Sequence, residues 1–367
     1  MIETKLTDMI GIEHPIIQAG MGPMSTNDLC AAVANAGAVG LVSSSGLASM
    51  VMGEFIGDAL AKSVGADPEK ATPIEILKKS YYKVLAATKE SKGIFGVNCM
   101  VSEEMRGMAE DIIKATIEVR DEDPEMKRRF KVLVTSAGDP LPWTETVKPS
   151  GIKWFHVVPS VRAAKRCEKA EVDGIIASGH EGGYHIAWEP LHTMTLLPAV
   201  VDAVETPVIG CGGFCDSKTL VAALALGACG VQMGSRFLVT KDSDFPDLWK
   251  KKVLESGDRA TMAVRGFVGP ARLVKGAICT RLGELTIKHN PELYLGKAGD
   301  IFSADPELLA TEAEGLAGAY SGDEENALTA AGETAQRIND MPTVKELIDR
   351  IIGEAEGIMK NLPKKIK

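Results

Sequence analysis

Residues 178 to 185 read Ser-Gly-His-Glu-Gly-Gly-Tyr-His, which sets two imidazoles and a phenol on one glycine-rich loop after a short apolar run. An imidazole gives or takes a proton near neutral pH, which is what a reduction or a deprotonation beside a carbonyl requires. His185 is the candidate for that role. Tyr184 beside it could stack on a ligand, donate a second proton or only shield the loop. His180 stays open between function and structure, and His192, inside a helix signal, reads as packing or capping. Two further segments carry the residue types that hold an anion. Gly212-Gly213 follows one apolar run and Gly234-Ser235, with Arg236 alongside, closes the next. Glycines let backbone N–H groups approach a phosphate, and a helix N-terminus adds partial positive charge. One such pair could be only a tight turn, but two independent segments together point to phosphate binding.

Near the start, Ala19-Gly20-Met21-Gly22 resembles the first turn of a dinucleotide fold. That reading fails, because Ser25 stands where the third glycine would be and the second strand runs into Ser43-Ser44-Ser45 with no acid for a ribose. Close backbone approach to a flat ring is the more economical role. Asn98 ends Phe95-Gly96-Val97-Asn98, where its amide offers a donor and an acceptor to a heterocycle or merely makes a turn. The basic cluster Arg265, Arg272, Lys275 and Arg281 reads first as a solvated face, with a substrate phosphate such as that of coenzyme A as the alternative.

Eight short apolar runs must position these groups: 15–20, 38–44, 93–99, 131–137, 153–159, 173–178, 207–212 and 230–236. Helix-length stretches separate most of them, at 27–36, 74–90, 103–118, 160–170, 191–204 and 217–226. That alternation, with runs apolar throughout, predicts an α/β chain folded as a (β/α)₈ TIM barrel, whose catalytic loops follow the strand C-termini. After residue 237 the rhythm becomes charged and helix-rich with no further strong strand, and 344–359 is amphipathic. The expected organisation is a barrel carried by residues 1–237 and 336–367, with a helix-rich lid or substrate domain at 238–335 inserted before the last barrel helix.

The formal net charge of −9 argues against nucleic acid or an anionic membrane as partner. No apolar run reaches a membrane span and residues 1 to 8 lack a secretory pattern, so a cytoplasmic protein is expected, as a monomer or homodimer. The seven cysteines are odd in number and scattered. Cys211 and Cys215 have three residues between them and no second pair, so neither disulfides nor a metal are expected.

PIIQAGMG, AAVANAGAVG, FGVN, HVVPSVRAAKRCEKAEVDGIIASGHEGG, LLPAVVDAVETPVIGCGG, LVAALALGACGVQMGSRFLVT and MPTVKELIDRIIGEAE occur in this order along nearly the whole chain. Together they resemble the nitronate monooxygenase (2-nitropropane dioxygenase-like) superfamily, which includes enoyl-acyl-carrier-protein reductase II and NADH:quinone reductases. The resemblance implies FMN at the barrel mouth, with Asn98, Ser178, Gly183, Gly213, Gln232, Met233, Gly234 and Ser235 at cofactor positions and His185 at the catalytic histidine. Three departures stand out. Tyr184 and Glu171 replace family glycines, and Gly332-Glu333-Thr334 replaces Gly-Gln-Gly. The spacing from His185 to Leu196-Leu197-Pro198 is more like the quinone-reductase branch.

The function expected is an FMN oxidoreductase reducing a quinone or an α,β-unsaturated thioester, a small or acyl-thioester substrate, at the expense of NADH or NADPH. A nitronate monooxygenase using oxygen is the second reading, and a non-redox phosphate-binding barrel the third. No Gly-x-Ser-x-Gly elbow occurs, which disfavours a serine hydrolase.

Overall fold

The computed structural model describes residues 2–50, 53–299 and 305–365. Its strands are β1 (Ile16–Gln18), β2 (Gly40–Val42), β3 (Phe95–Met100), β4 (Phe130–Ser136), β5 (Lys153–Val158), β6 (Gly174–Ser178), β7 (Tyr184–His185), β8 (Val208–Cys211), β9 (Val231–Met233), β10 (Thr261–Gly266) and β11 (Gly269–Val274). Eight of them form one parallel sheet in the order β1-β9-β8-β6-β5-β4-β3-β2. A parallel bridge between Ile17 and Val39 joins its two ends, so the sheet is a barrel. Each of the eight apolar runs lies on one of these strands, and the last is cut short at Met233 because a helical turn, Ser235–Leu238, begins at once.

The runs are apolar throughout because both faces of each strand are covered. Ile17, Leu41, Val132, Val134, Phe155, Ile176 and Ile209 fill the barrel interior. Their neighbours Ile16, Val42, Leu133, Trp154 and Ile175 face the surrounding helices. Gln18 is a polar exception at 0% exposure. Its carbonyl oxygen accepts from the Leu41 N–H at 2.8 Å and its amide donates to the Ala19 carbonyl, which stitches β1 to β2 where the barrel closes.

The helix Val344–Asn361 starts at a capping box of Thr343 and Glu346. It buries Val344, Leu347, Ile348, Ile351, Ile352 and Ala355, one helical face, against the helices Asn27–Asn35 and Ser217–Ala225. The closing barrel helix is therefore reached only after the chain has passed through the helices Asp247–Leu254, Ala277–His289 and Pro306–Ser321.

That intervening stretch also holds strands, which the sequence reading did not anticipate. β10 and β11 form an antiparallel hairpin, and β11 pairs with β7 on the loop after β6. The alternation was hidden by two arginines that are not solvated. Arg265 is 0% and Arg272 6% exposed, the first with its guanidinium 5.3 Å from the Trp188 ring centre, the second paired with Glu333 at 3.1 Å. Lys275 and Arg281 are exposed, as expected of that cluster.

A buried histidine makes the barrel acid-sensitive. His156 on β5, 2% exposed, lies 2.7 Å from Thr135 Oγ1 through Nδ1 and 3.2 Å from the Gly138 carbonyl through Nε2. The Gly138 carbonyl can only accept, so Nε2 carries the ring proton and Nδ1 accepts from the Thr135 hydroxyl, which itself accepts from Trp154 Nε1 at 2.7 Å. Burial pushes the pKa of His156 from 6.5 down to about 4. The unfolded chain therefore binds the extra proton first. Stability is whole above pH 6.5 and falls as the pH drops towards 4, by about 2 kcal/mol at pH 5 from this residue. Urea unfolding at pH 7 and pH 5 should show at least that loss, and an unchanged free energy would contradict the buried neutral ring.

Candidate active site

The loops at the C-terminal ends of the barrel strands, together with the β10–β11 hairpin and residues 330–334, enclose a cavity of about 410 Å³. Ala19, Gly20, Met21, Gly22, Asn98, Ser178, Gly183, Tyr184, His185, Gly212, Gly213, Gln232, Gly234 and Ser235 all line it. Met233 does not. Its side chain is buried in the core, 1% exposed, and only its carbonyl turns to the loop, accepting from the Ala19 N–H at 2.9 Å. Arg236, beside the second glycine segment, also turns away: it is held by Asp340 at 2.8 Å and by the Val239 carbonyl.

The glycines divide by what stands next to them. A Cβ on Gly20 would lie 2.3 Å from Asn98 Cγ, one on Gly183 2.5 Å from the Gly332 nitrogen, and one on Gly212 2.6 Å from the Gly179 carbonyl. Those three are small so that protein can approach protein, and the close neighbour of Gly20 is Asn98. Gly213 and Gly234 differ. A Cβ there would make only ordinary van der Waals contacts, with Glu181 at 3.8 Å and with Met21 at 3.5 Å, so no protein atom crowds either glycine. Gly212 and Gly213 are both left-handed, at φ +81° and +88°, which only glycine takes without strain.

Asn98 spends its amide inside the protein. Its oxygen accepts from the Ser44 N–H at 2.9 Å and its nitrogen donates to Ser45 Oγ at 3.0 Å, bracing the loop after β2 against β3. Ser235 Oγ accepts from the Gly332 N–H at 2.8 Å, and the Glu333 N–H donates to the Glu181 carbonyl at 2.9 Å. These bonds fix residues 332–334 over the mouth. Where a Gly-Gln-Gly was expected, Glu333 is engaged by Arg272 instead.

His185 is open to the cavity yet ringed by protein atoms. Desolvation lowers its pKa to about 4, a hydrogen bond to the Val268 carbonyl opposes this, and the charge of Arg265 adds to the lowering. The ring is thus neutral at pH 7. A neutral imidazole keeps a lone pair on one ring nitrogen, which can take a proton. The thiol of Cys211, also on the wall, is pushed up to about 11 by burial and is no thiolate at neutral pH.

Tyr184 stacks on His185, ring centres 4.3 Å apart at 29°. Its phenol donates to Glu312 Oε1 at 3.0 Å. Its backbone is left-handed, φ +58°, at a place where a glycine was expected. A side chain there costs roughly 1–2 kcal/mol, and the buried phenol–carboxyl hydrogen bond acts against that cost. Sequence reading missed Glu312, which lies 128 positions from its partner with no motif around it.

His180 lies outside the cavity wall, its carbonyl accepting from Arg272 at 3.0 Å and its ring meeting His192 at 5.7 Å. Glu181 caps the helix Thr193–Val201 by accepting from the Thr193 N–H at 2.9 Å. Among the described residues no lysine or arginine lines the cavity, and Glu181 is the charged group on its wall.

A family model described as nitronate monooxygenase matches residues 3–354. The chain is 30% identical to a (3aS,4S,5R,7aS)-5-hydroxy-7a-methyl-1-oxo-octahydro-1H-indene-4-carboxyl-CoA dehydrogenase of Mycobacterium tuberculosis, with 96% of each chain covered. It is 29% identical to a probable nitronate monooxygenase of Staphylococcus aureus, over 75% of this chain and 78% of that one. FabK from Thermotoga maritima superposes with a TM-score of 0.78 at 27% identity, all of both chains covered. A nitroalkane oxidase from Streptomyces ansochromogenes shares the fold, TM-score 0.69 at 22% identity, with 97% of this chain and 99% of that one covered.

Proposed function

Because the chain belongs to the nitronate monooxygenase family, we propose that it is an FMN-dependent oxidoreductase that interconverts a saturated and an α,β-unsaturated acyl thioester. NADH or NADPH would be the hydride source in the reductive direction. The observation that carries the choice of substrate is the cavity wall. It holds Trp188, Phe214, Phe245, Trp249 and Pro270, and among the described residues no cation. An apolar acyl chain is at home there, whereas an anionic nitronate would be desolvated without a partner. The relatives named as carboxyl-CoA dehydrogenases support the same reading, since they align over 96% of both chains.

The residues present fit FMN. Gly213 and Gly234, on the cavity wall and not crowded by protein atoms, would suit a phosphate on backbone N–H groups, and Ala19 to Gly22 with Gln232 border the space for the ring. A cavity of about 410 Å³ falls within the roughly 300–1,000 Å³ usual for cofactor sites. What the flavin supplies when bound is an acceptor and donor of hydride. Neutral His185 takes the proton that leaves Cα when the thioester is oxidised, and returns it in the reverse direction. The apolar wall excludes water from that exchange.

Anaerobic mixing tests this. The flavin band should bleach with NADH or NADPH and recover with an enoyl-CoA, or bleach with the saturated acyl-CoA and recover with a quinone. A band that responds to none of these but bleaches with propionate 3-nitronate, with oxygen restoring it, would replace the proposal by a nitronate monooxygenase.

A further inference from the structure

The Tyr184–His185 pair has a geometry that an ordinary extended chain cannot give. β7 is paired to β11, with Tyr184 opposite Arg272 and His185 opposite Ala271. Successive side chains of a strand point to opposite faces, so neighbours do not stack. Here they do, because the left-handed backbone at Tyr184, φ +58°, swings its ring back over the imidazole. Something must hold that arrangement, and it is the far end of the phenol. The hydroxyl donates to Glu312 Oε1 at 3.0 Å, and the Phe267 N–H in the turn between β10 and β11 donates to Oε2. Glu312 is 1% exposed, on the helix Pro306–Ser321, away from the barrel strands. One carboxyl group thus ties together three pieces of chain: the loop after β6, the hairpin that carries the Val268 partner of His185, and a helix of the accessory segment.

We propose that Glu312 is a positioning residue for the proton-transfer step, acting through the Tyr184 phenol to hold the His185 ring in place. In this arrangement Tyr184 is not a proton donor to substrate, since its own proton is committed to Glu312. The seating of the helix Pro306–Ser321 on the hairpin then decides whether the imidazole is in register with the cavity. The proposal rests on the reading of His185 as the base, and its test has one readout that does not depend on that reading.

The variants are Tyr184→Phe, which keeps the ring and loses the bond, Glu312→Ala, and Glu312→Gln, whose amide can still bond both the phenol and the Phe267 N–H. The first readout is the rate at which diethyl pyrocarbonate modifies His185, followed by peptide mass spectrometry on the flavin-loaded protein. The second is steady-state turnover with whichever enoyl-CoA or acyl-CoA exchanges electrons with the flavin in the mixing test. Tyr184→Phe and Glu312→Ala should raise the modification rate on the order of 10-fold and lower kcat by a similar factor with KM within about twofold. Glu312→Gln should restore both towards the wild type. Faster modification with unchanged kcat upholds the positioning of the ring and removes His185 as the base. An unchanged modification rate in Tyr184→Phe, which conserves the packing even should Glu312→Ala fail to fold, overturns the proposal, as does a Glu312→Gln variant no better than Glu312→Ala.

Discussion

His185→Ala is expected to yield a protein that keeps its flavin and loses turnover on the order of 10² or more, the usual loss for a general acid or base. The two effects separate because the groups are separate. The imidazole stands on β7, bonded to Val268, while the turns at Gly213 and Gly234 are contributed by the strands β8 and β9. Flavin absorbance of the purified variant and single-turnover kinetics measure the two. A neutral imidazole with a pKa near 4 is already in its accepting form at neutral pH. Activity of the wild type should therefore hold from pH 8 down to about pH 5 and fall only below that. Unchanged turnover in His185→Ala would remove the imidazole as the base and leave the proton to solvent.

The second large effect is expected at Gly213→Val. At φ +88° a β-branched residue is a backbone outlier, costing on the order of 1–3 kcal/mol, which is about 5- to 150-fold in any affinity that depends on the turn. The new methyl groups would also occupy the space beside the turn, where no protein atom lies nearer than 3.8 Å to a Cβ. FMN affinity should fall by that factor or more, read by fluorescence quenching on titration. Gly151→Ala is the control. Its φ is +65° with nothing within 4 Å of a Cβ, so the strain is comparable in kind but remote from the cavity. Should it weaken FMN as much as Gly213→Val, the loss would belong to general destabilisation.

The barrel was legible because parallel strands covered on both faces are written as apolar runs, and eight runs survive without ambiguity. The glycine segments were legible too, since residue type there is set by backbone conformation. What glycine spacing could not say is which neighbour each one makes room for. Gly20, Gly183 and Gly212 admit protein, while Gly213 and Gly234 are not crowded by it. The hairpin β10–β11 was hidden because Arg265 and Arg272 are buried against Trp188, His180 and Glu333, partners scattered along the chain. A charge read singly is assigned to solvent. The two residues that replace expected glycines, Glu171 and Tyr184, keep the left-handed backbone at φ +56° and +58°. Glu171 does so at the exposed surface, and Tyr184 with the help of Glu312, a contact invisible to any local pattern.

Binding of FMN against riboflavin to the flavin-free protein tests the central claim most directly, because the two ligands differ only in the phosphate assigned to the turns at Gly213 and Gly234. Expected is saturable one-to-one binding of FMN with riboflavin weaker by on the order of 10²-fold, the two becoming alike in Gly213→Val. Equal affinity of the wild-type protein for both, or no binding of either, would contradict it.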